Sequence, residues 1–295
     1  MEKTGRTGLI LKWSRRIRWA LLLAILAYLA ACAYMWSTQR RHIFEPLAQL
    51  QTTPERQGMK AEEVHIPSGS GKDKGDLFAW WIPAENAEAR TLLYLHGNGK
   101  NIGSAHDMGK AARLHDMGYS LLLLDYRGYG RSGGGEPSEA GMYEDAEAAW
   151  NYLVKDRALN PRSIFIYGHS LGGAVAINLG VQHPKAGGVI AESTFTSMAD
   201  MAEREYRWLP VDLLLNQRFD SISIVRRLKI PLLLIHGTWD KRIPMQMSQR
   251  LYETAVQPKF LTLIESGEHS NCDQVAPLEY RAAVTDFIQR YTPLP

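Results

Sequence analysis

Cysteine is nearly absent. The 295 residues hold two, Cys32 in an apolar run near the N-terminus and Cys272 near the other end. A disulfide scaffold is therefore excluded, and no cysteine cluster offers a metal site. The sequence also lacks an H-E-x-x-H pair and a G-x-x-x-x-G-K loop. Zinc-peptidase chemistry and phosphate cradling lose their usual signatures, and no cofactor is expected. There is no internal repeat and no low-complexity tract. Excess positive charge is missing from most of the chain. The formal net charge is +3, but residues 1–42 hold eight Lys/Arg against Glu2, and the remainder carries 26 basic and 30 acidic residues, net −4. That balance argues against a nucleic-acid partner, which needs concentrated positive surface.

One long hydrophobic run is present. Trp19 to Trp36 reads WALLLAILAYLAACAYMW, eighteen residues without a charge. This length is at the lower end of what spans a hydrocarbon core as a helix, and Trp and Tyr suit its ends. Lys12, Arg15, Arg16 and Arg18 precede it, and Arg40 and Arg41 follow. The expectation is a basic cytoplasmic flank at 1–18, a single-pass anchor at 19–36 and a connector at 37–60. The remainder, 61–295, then lies on the opposite side of the membrane. A second reading takes Leu29-Ala30-Ala31-Cys32 as a lipoprotein box anchored through Cys32. Against it, the apolar run continues through Met35 and Trp36, past the point where a cleaved signal ends. Both readings attach the protein to a membrane.

Beyond the connector, short β-rich runs alternate with helical segments. The runs are LFAWWI (77–82), TLLYL (91–95), SLLLLD (120–125), SIFIY (163–167), GVIAE (188–192), PLLLIHG (231–237) and FLTLIE (260–265). Helices are expected near 104–117, 138–156, 171–182, 246–256 and 277–290. SGSGKDKGD (68–76) reads as a loop. This alternation implies an α/β fold with a mainly parallel central sheet and helices on both faces. The near-continuous apolar character of the strands agrees. Residues 195–229 break the pattern and read as a small helical insertion over the ligand-binding edge.

Gly168-His169-Ser170-Leu171-Gly172 is G-x-S-x-G, placed after the strand SIFIY and before the helical LGGAVAINLG. That context is what the motif requires: a sharp turn that exposes the serine hydroxyl. The glycines remove side chains where strand and helix pack closely. Serine needs a base, and His269, in a loop after FLTLIE, is the best placed of nine histidines. His236 ends a strand and reads as a packing residue. Asp240, in HGTWDKRIP, is the expected acid, with Glu192 as its rival. Backbone N–H groups of Leu171 and of Asn98, in His96-Gly97-Asn98-Gly99, are the expected oxyanion donors.

GHSLGG, HGNG, DYRGYGRSGG, HGTWDKRIP and GEHSN occur here in the order used by the α/β-hydrolase superfamily, which the sequence resembles over roughly residues 60 to 292. ESTFTSMAD (192–200) and PKFLTLIESGEH (258–269) resemble a membrane-anchored serine hydrolase subgroup, similar to bacterial relatives of the protein depalmitoylases. The resemblance implies Ser170 as nucleophile, Asp240 as acid and His269 as base. It implies a structural turn at Asp125 and Arg127. It also suggests an acyl ester or thioester substrate, small, lipid-like or carried on an acylated protein.

Three rivals are weighed. Gly128-Tyr129-Gly130-Arg131-Ser132-Gly133 matches a dinucleotide-binding G-x-G-x-x-G, but Gly134 to Pro137 delay the helix and no acid sits at a strand end about twenty residues on. A catalytically silent binding module would not need the full triad. A peptidase of the prolyl-oligopeptidase type usually carries a large extra domain that the connector cannot supply. The Met and aromatic residues of the insertion point to medium-length acyl chains.

Overall fold

The computed structural model describes residues 4–69 and 74–291. Eight strands form the central sheet: β1 (Glu62–Ser68), β2 (Gly75–Ile82), β3 (Thr91–Leu95), β4 (Ser120–Leu124), β5 (Ile164–His169), β6 (Gly188–Glu192), β7 (Leu232–Gly237) and β8 (Lys259–Ile264). Their spatial order is β8-β7-β6-β5-β3-β4-β2-β1. All pairings from β4 through β8 are parallel, and β2 joins β4 and β1 antiparallel. Every residue of β3, β4, β5, β6 and β7 is buried. Covering on both faces is why these runs carry no polar alternation. Of the loop expected at 68–76, residues 70–73 lie outside the described residues, as do residues 1–3 of the basic flank.

Ten helices are described: α1 (Thr4–Ile43), α2 (Ala105–Asp116), α3 (Glu139–Asn151), α4 (Leu171–Gln182), α5 (Met198–Glu205), α6 (Val211–Leu214), α7 (Ser221–Ile224), α8 (Met245–Thr254), α9 (Cys272–Val275) and α10 (Pro277–Arg290). Local chemistry sets several starts. The hydroxyls of Ser104, Ser138 and Ser197 accept from the backbone N–H of Asp107, Gly141 and Asp200, capping α2, α3 and α5. Two apolar clusters fill the two faces of the sheet.

Two features differ from the sequence reading. The anchor helix does not stop at Trp36 but continues unbroken to Ile43. Nor is the following stretch a loose connector. Glu45–Pro46 pairs in parallel with Gly99–Lys100, and Asn101 Nδ2 donates to Leu47 O at 2.6 Å and Gln49 O at 3.0 Å. The G-x-G-x-x-G segment is a closed turn. Gly128 and Gly130 adopt φ of 76° and 51°, and α3 begins only at Glu139. A side chain at Gly130 would collide with the Asp125 carboxylate, and Arg127 is tied to Asp145 at 2.7 Å. This geometry leaves no helix N-terminus for a pyrophosphate.

Arg15–Ile43 is long and apolar enough to cross a membrane, and little of its apolar window is buried by the protein. Helices α5, α6 and α7 form the insertion between β6 and β7, and α6 packs against α1.

Candidate active site

The carboxyl ends of β3, β5, β6 and β7 meet at one edge, the usual place for ligands in an open α/β sheet. β5 arrives there and α4 leaves at once. Ser170, between them, is held at φ 55° and ψ −117°, a conformation that L-residues adopt only under constraint from their surroundings. The constraint is close packing. A Cβ on Gly168 would lie 2.1 Å from Gly172 O, and one on Gly172 would lie 2.0 Å from Leu95 O. Ser170 N–H donates to Glu192 O at 2.8 Å, which fixes the turn to β6.

His269 reaches Ser170 from the loop after β8. Its Nε2 lies 3.1 Å from Ser170 Oγ, and its Nδ1 lies 2.7 Å from Asp240 Oδ2. With Nδ1 protonated, the ring donates to the carboxylate and its free Nε2 accepts from the serine hydroxyl. Asp240 sits in the loop after β7. Its Oδ1 accepts from the N–H groups of Arg242 and Ile243 at 2.9 and 2.8 Å, and Oδ2 also faces His236 Nε2 at 3.2 Å. Burial works against a charge here, but the hydrogen bonds from His236, His269 and Ile243 outweigh it, holding the carboxyl well below the usual carboxylate range. His236 is therefore more than a packing residue: it shares the oxygen that orients His269.

Glu192, the rival acid, is elsewhere. Its side chain is fully buried on Lys110 Nζ at 2.5 Å, with the hydroxyls of Tyr167 and Tyr280 as further donors. Burial opposes its ionisation, and Lys110 and the two tyrosines prevail, lowering its pKa. Lys110 also meets Asp273 at 3.1 Å. The cluster is a buried ion network beneath the sheet edge.

Asn98 and Leu171 border the same cavity as Ser170. Leu171 opens α4, so its N–H has no intrahelical acceptor. The Asn98 peptide is pinned on its carbonyl by Glu45 N–H at 3.0 Å and Tyr129 OH at 2.8 Å, while its side chain donates to Ile43 O at 3.0 Å. His169 also takes a place that the sequence left vague. Its Nε2 donates to His269 O at 3.0 Å, holding the backbone of His269. Burial, then the neighbouring His106 and His269, push its pKa well below the ordinary histidine value, so it is neutral.

Two hollows flank the serine. The larger, about 430 Å³, is mostly apolar and lies between the insertion and α1. The smaller, about 360 Å³, is the more polar of the two and is bordered by Trp239, Lys241, Glu268, His269 and Asn271. Arg242 borders both. Among the described residues no group of His, Cys, Asp and Glu could hold a metal ion.

Such an elbow, on such a sheet, defines an α/β hydrolase. Residues 86–224 match the family model described as serine aminopeptidase, S33, and the chain belongs to this family of hydrolases. It is 33% identical over 260 residues to the uncharacterized protein Rv2307c of Mycobacterium tuberculosis, spanning 87% of this chain and 90% of that one. It is 36% identical over 239 residues to YfhR of Escherichia coli K12, spanning 77% and 80%. It is also 34% identical over 214 residues to the lysophosphatidylserine lipase ABHD12 of Danio rerio, spanning 66% of this chain and 55% of that one. Among solved structures, a Pyrococcus furiosus esterase superposes with a TM-score of 0.70 at 22% identity, covering 85% of this chain and 99% of that one. That similarity concerns the fold.

Proposed function

We propose that the protein is a membrane-attached serine esterase or thioesterase that works through an acyl-enzyme. The observation that carries this is the unbroken chain Ser170 Oγ, His269 Nε2, His269 Nδ1, Asp240 Oδ2, at 3.1 and 2.7 Å, beside an apolar hollow. Ser170 Oγ forms a bond to the substrate carbonyl carbon as its proton passes to His269 Nε2. The carbonyl π pair moves to oxygen, and the N–H groups of Leu171 and Asn98 receive that oxyanion. Asp240 keeps the Nδ1 proton in place and stabilises the imidazolium. When the oxyanion collapses, the C–O or C–S bond breaks and His269 returns the proton to the leaving group. Water then attacks the acyl-enzyme by the same route and releases the carboxylic acid.

The two hollows divide the substrate. The apolar one suits the acyl chain, and the polar one, which His269 borders, suits the departing alcohol or thiol. The printed activity of the zebrafish relative, a lipase for a single-chain lipid, fits that division. The family description makes an aminopeptidase the second reading; the mostly apolar lining favours the ester. The single-pass topology with the N-terminus in the cytoplasm is part of the same proposal, motivated by Arg15, Arg16 and Arg18 ahead of the span.

Ser170→Ala tests the reading. Turnover of p-nitrophenyl esters and thioesters by the full-length protein should vanish, and fluorophosphonate labelling with it. Retained turnover in the alanine variant contradicts the assignment. Faster cleavage of aminoacyl p-nitroanilides than of esters would favour the peptidase.

A further inference from the structure

The apolar hollow has an unusual wall. Beside insertion residues such as Phe195, Met198 and Leu209, it is bordered by Met35, Gln39, His42 and Ile43, all on the anchor helix α1. This contact is built into the structure. Gln39 is buried, its amide nitrogen donates to Leu214 O at 3.1 Å, and its amide oxygen accepts from Asn216 N–H at 2.8 Å. Farther along, Tyr28 OH donates to Trp208 O at 3.1 Å and the two rings meet edge to face at 6.3 Å. Phe44, just past the helix, packs edge to face on the buried Phe219.

The depth of this wall follows from the charges. No Asp, Glu, Lys or Arg occurs between Arg18 and Arg40, which leaves 21 residues. As a helix these rise about 31 Å, the thickness of a bilayer's hydrocarbon core. Met35 then lies just inside the apolar slab, and Gln39, His42 and Ile43 lie at its headgroup boundary. The insertion runs from that level, where Leu214 and Asn216 meet Gln39, along the helix to Trp208 beside Tyr28 within the slab, and offers the slab apolar surface: Trp208 is 54% and Leu213 84% exposed.

We propose that the last turns of α1, Met35 to Ile43, form the selective wall of the acyl pocket, and that the pocket opens at the membrane surface to admit the chain of a single-chain ester dissolved in the bilayer. This deepens the esterase reading and rests on it. A volume of about 430 Å³ is near the lower end of ligand sites, with room for one chain. The chain passes from lipid to pocket without crossing water, and its carbonyl arrives at Ser170 while the polar end stays on the Arg242 side. Cys32 lies upstream of every wall residue, so a chain beginning at a lipidated Cys32 would lose the Tyr28 contact and keep all four wall residues.

The test uses the full-length protein in phospholipid nanodiscs and p-nitrophenyl esters from acetate to dodecanoate. Met35→Trp and Ile43→Trp fill the pocket from the helix side. Each should lower the dodecanoate-to-acetate ratio of kcat/KM roughly tenfold or more, since each excluded methylene counts about that much. Leu29→Trp, on an exposed part of the same helix, should leave the ratio within about twofold. Met35→Ala and Ile43→Ala, which keep the fold where tryptophan disrupts it, should raise the ratio. Diluting dodecanoate with empty nanodiscs at fixed total amount should slow turnover. Ratios unchanged in all four pocket variants, while a short fluorophosphonate still labels Ser170, would overturn this inference alone. So would a rate indifferent to added bilayer. A wild-type protein that neither labels nor turns over any ester would end the esterase reading, and this inference with it.

Discussion

Asp240 and Glu192 are both buried carboxylates at the ends of neighbouring strands, yet their surroundings give them opposite duties. Asp240 faces two imidazoles and two backbone N–H groups, and its open side is the site. Glu192 faces Lys110 and two phenols in a sealed interior. Asp240→Asn should lower kcat about 10⁴-fold by favouring the wrong imidazole tautomer. Glu192→Ala should leave Ser170, His269 and Asp240 in place and cost about 1–3 kcal/mol of stability, because Lys110 keeps only Asp273 and the Tyr167 and Tyr280 hydroxyls lose their carboxylate acceptor. Activity and urea denaturation measured on both variants separate the two roles. Asp125 supplies a pH prediction. Burial, helped by the neighbouring Asp107, pushes its carboxyl up to about 7 against hydrogen bonds from the N–H groups of Ile102 and Arg131, with His96 Nε2 3.6 Å away. The folded chain holds this proton where the unfolded chain, with a pKa of about 3.9, has released it. Stability from this group is complete below pH ~4 and is lost as pH rises toward 7. Asp125→Asn should flatten that decline relative to wild type in denaturation midpoints taken between pH 4 and 8. An identical slope in both proteins contradicts the protonated carboxyl.

At the scale of elements, the central sheet was legible because its strands are short apolar runs set off by helical stretches, and the structure places helices at 105–116, 139–151, 171–182, 245–254 and 277–290. The convergence of Ser170, His269 and Asp240 was legible from motif order, since each ends or follows a strand of one sheet. Glu192 could have been separated from Asp240 by one signal: an acid closing an otherwise apolar strand must find a buried partner. The role of α1 was not legible. A leucine-rich helix reads the same whether it faces lipid or protein, and the contact that decides it joins Gln39 to residues more than 170 positions away. The pairing of Glu45–Pro46 with Gly99–Lys100 inside the connector was not legible either, because it is two residues long. Gln39→Leu should loosen the insertion from α1 by removing its hydrogen bonds to Leu214 O and Asn216 N–H, each worth about 0.5–1.5 kcal/mol. Hydrogen exchange should speed up across residues 206–216 while β5 and α4 stay protected; uniform protection would count against the clamp.

For the molecule as a whole, α1, the loop of Asn98 and the insertion form one assembly around Ser170. Ile43 O and Glu45 N–H hold Asn98, so the end of α1 fixes the loop expected to receive the oxyanion. Ser170, His269 and Asp240, from three separate turns, are held together by the parallel sheet, and the apolar hollow beside them is completed by the end of α1. The most direct measurement is peptide mapping of the full-length protein after reaction with a fluorophosphonate. The account predicts one modified residue, Ser170, and loss of that adduct in His269→Ala. An unreactive folded protein, or an adduct on a different serine, would contradict it.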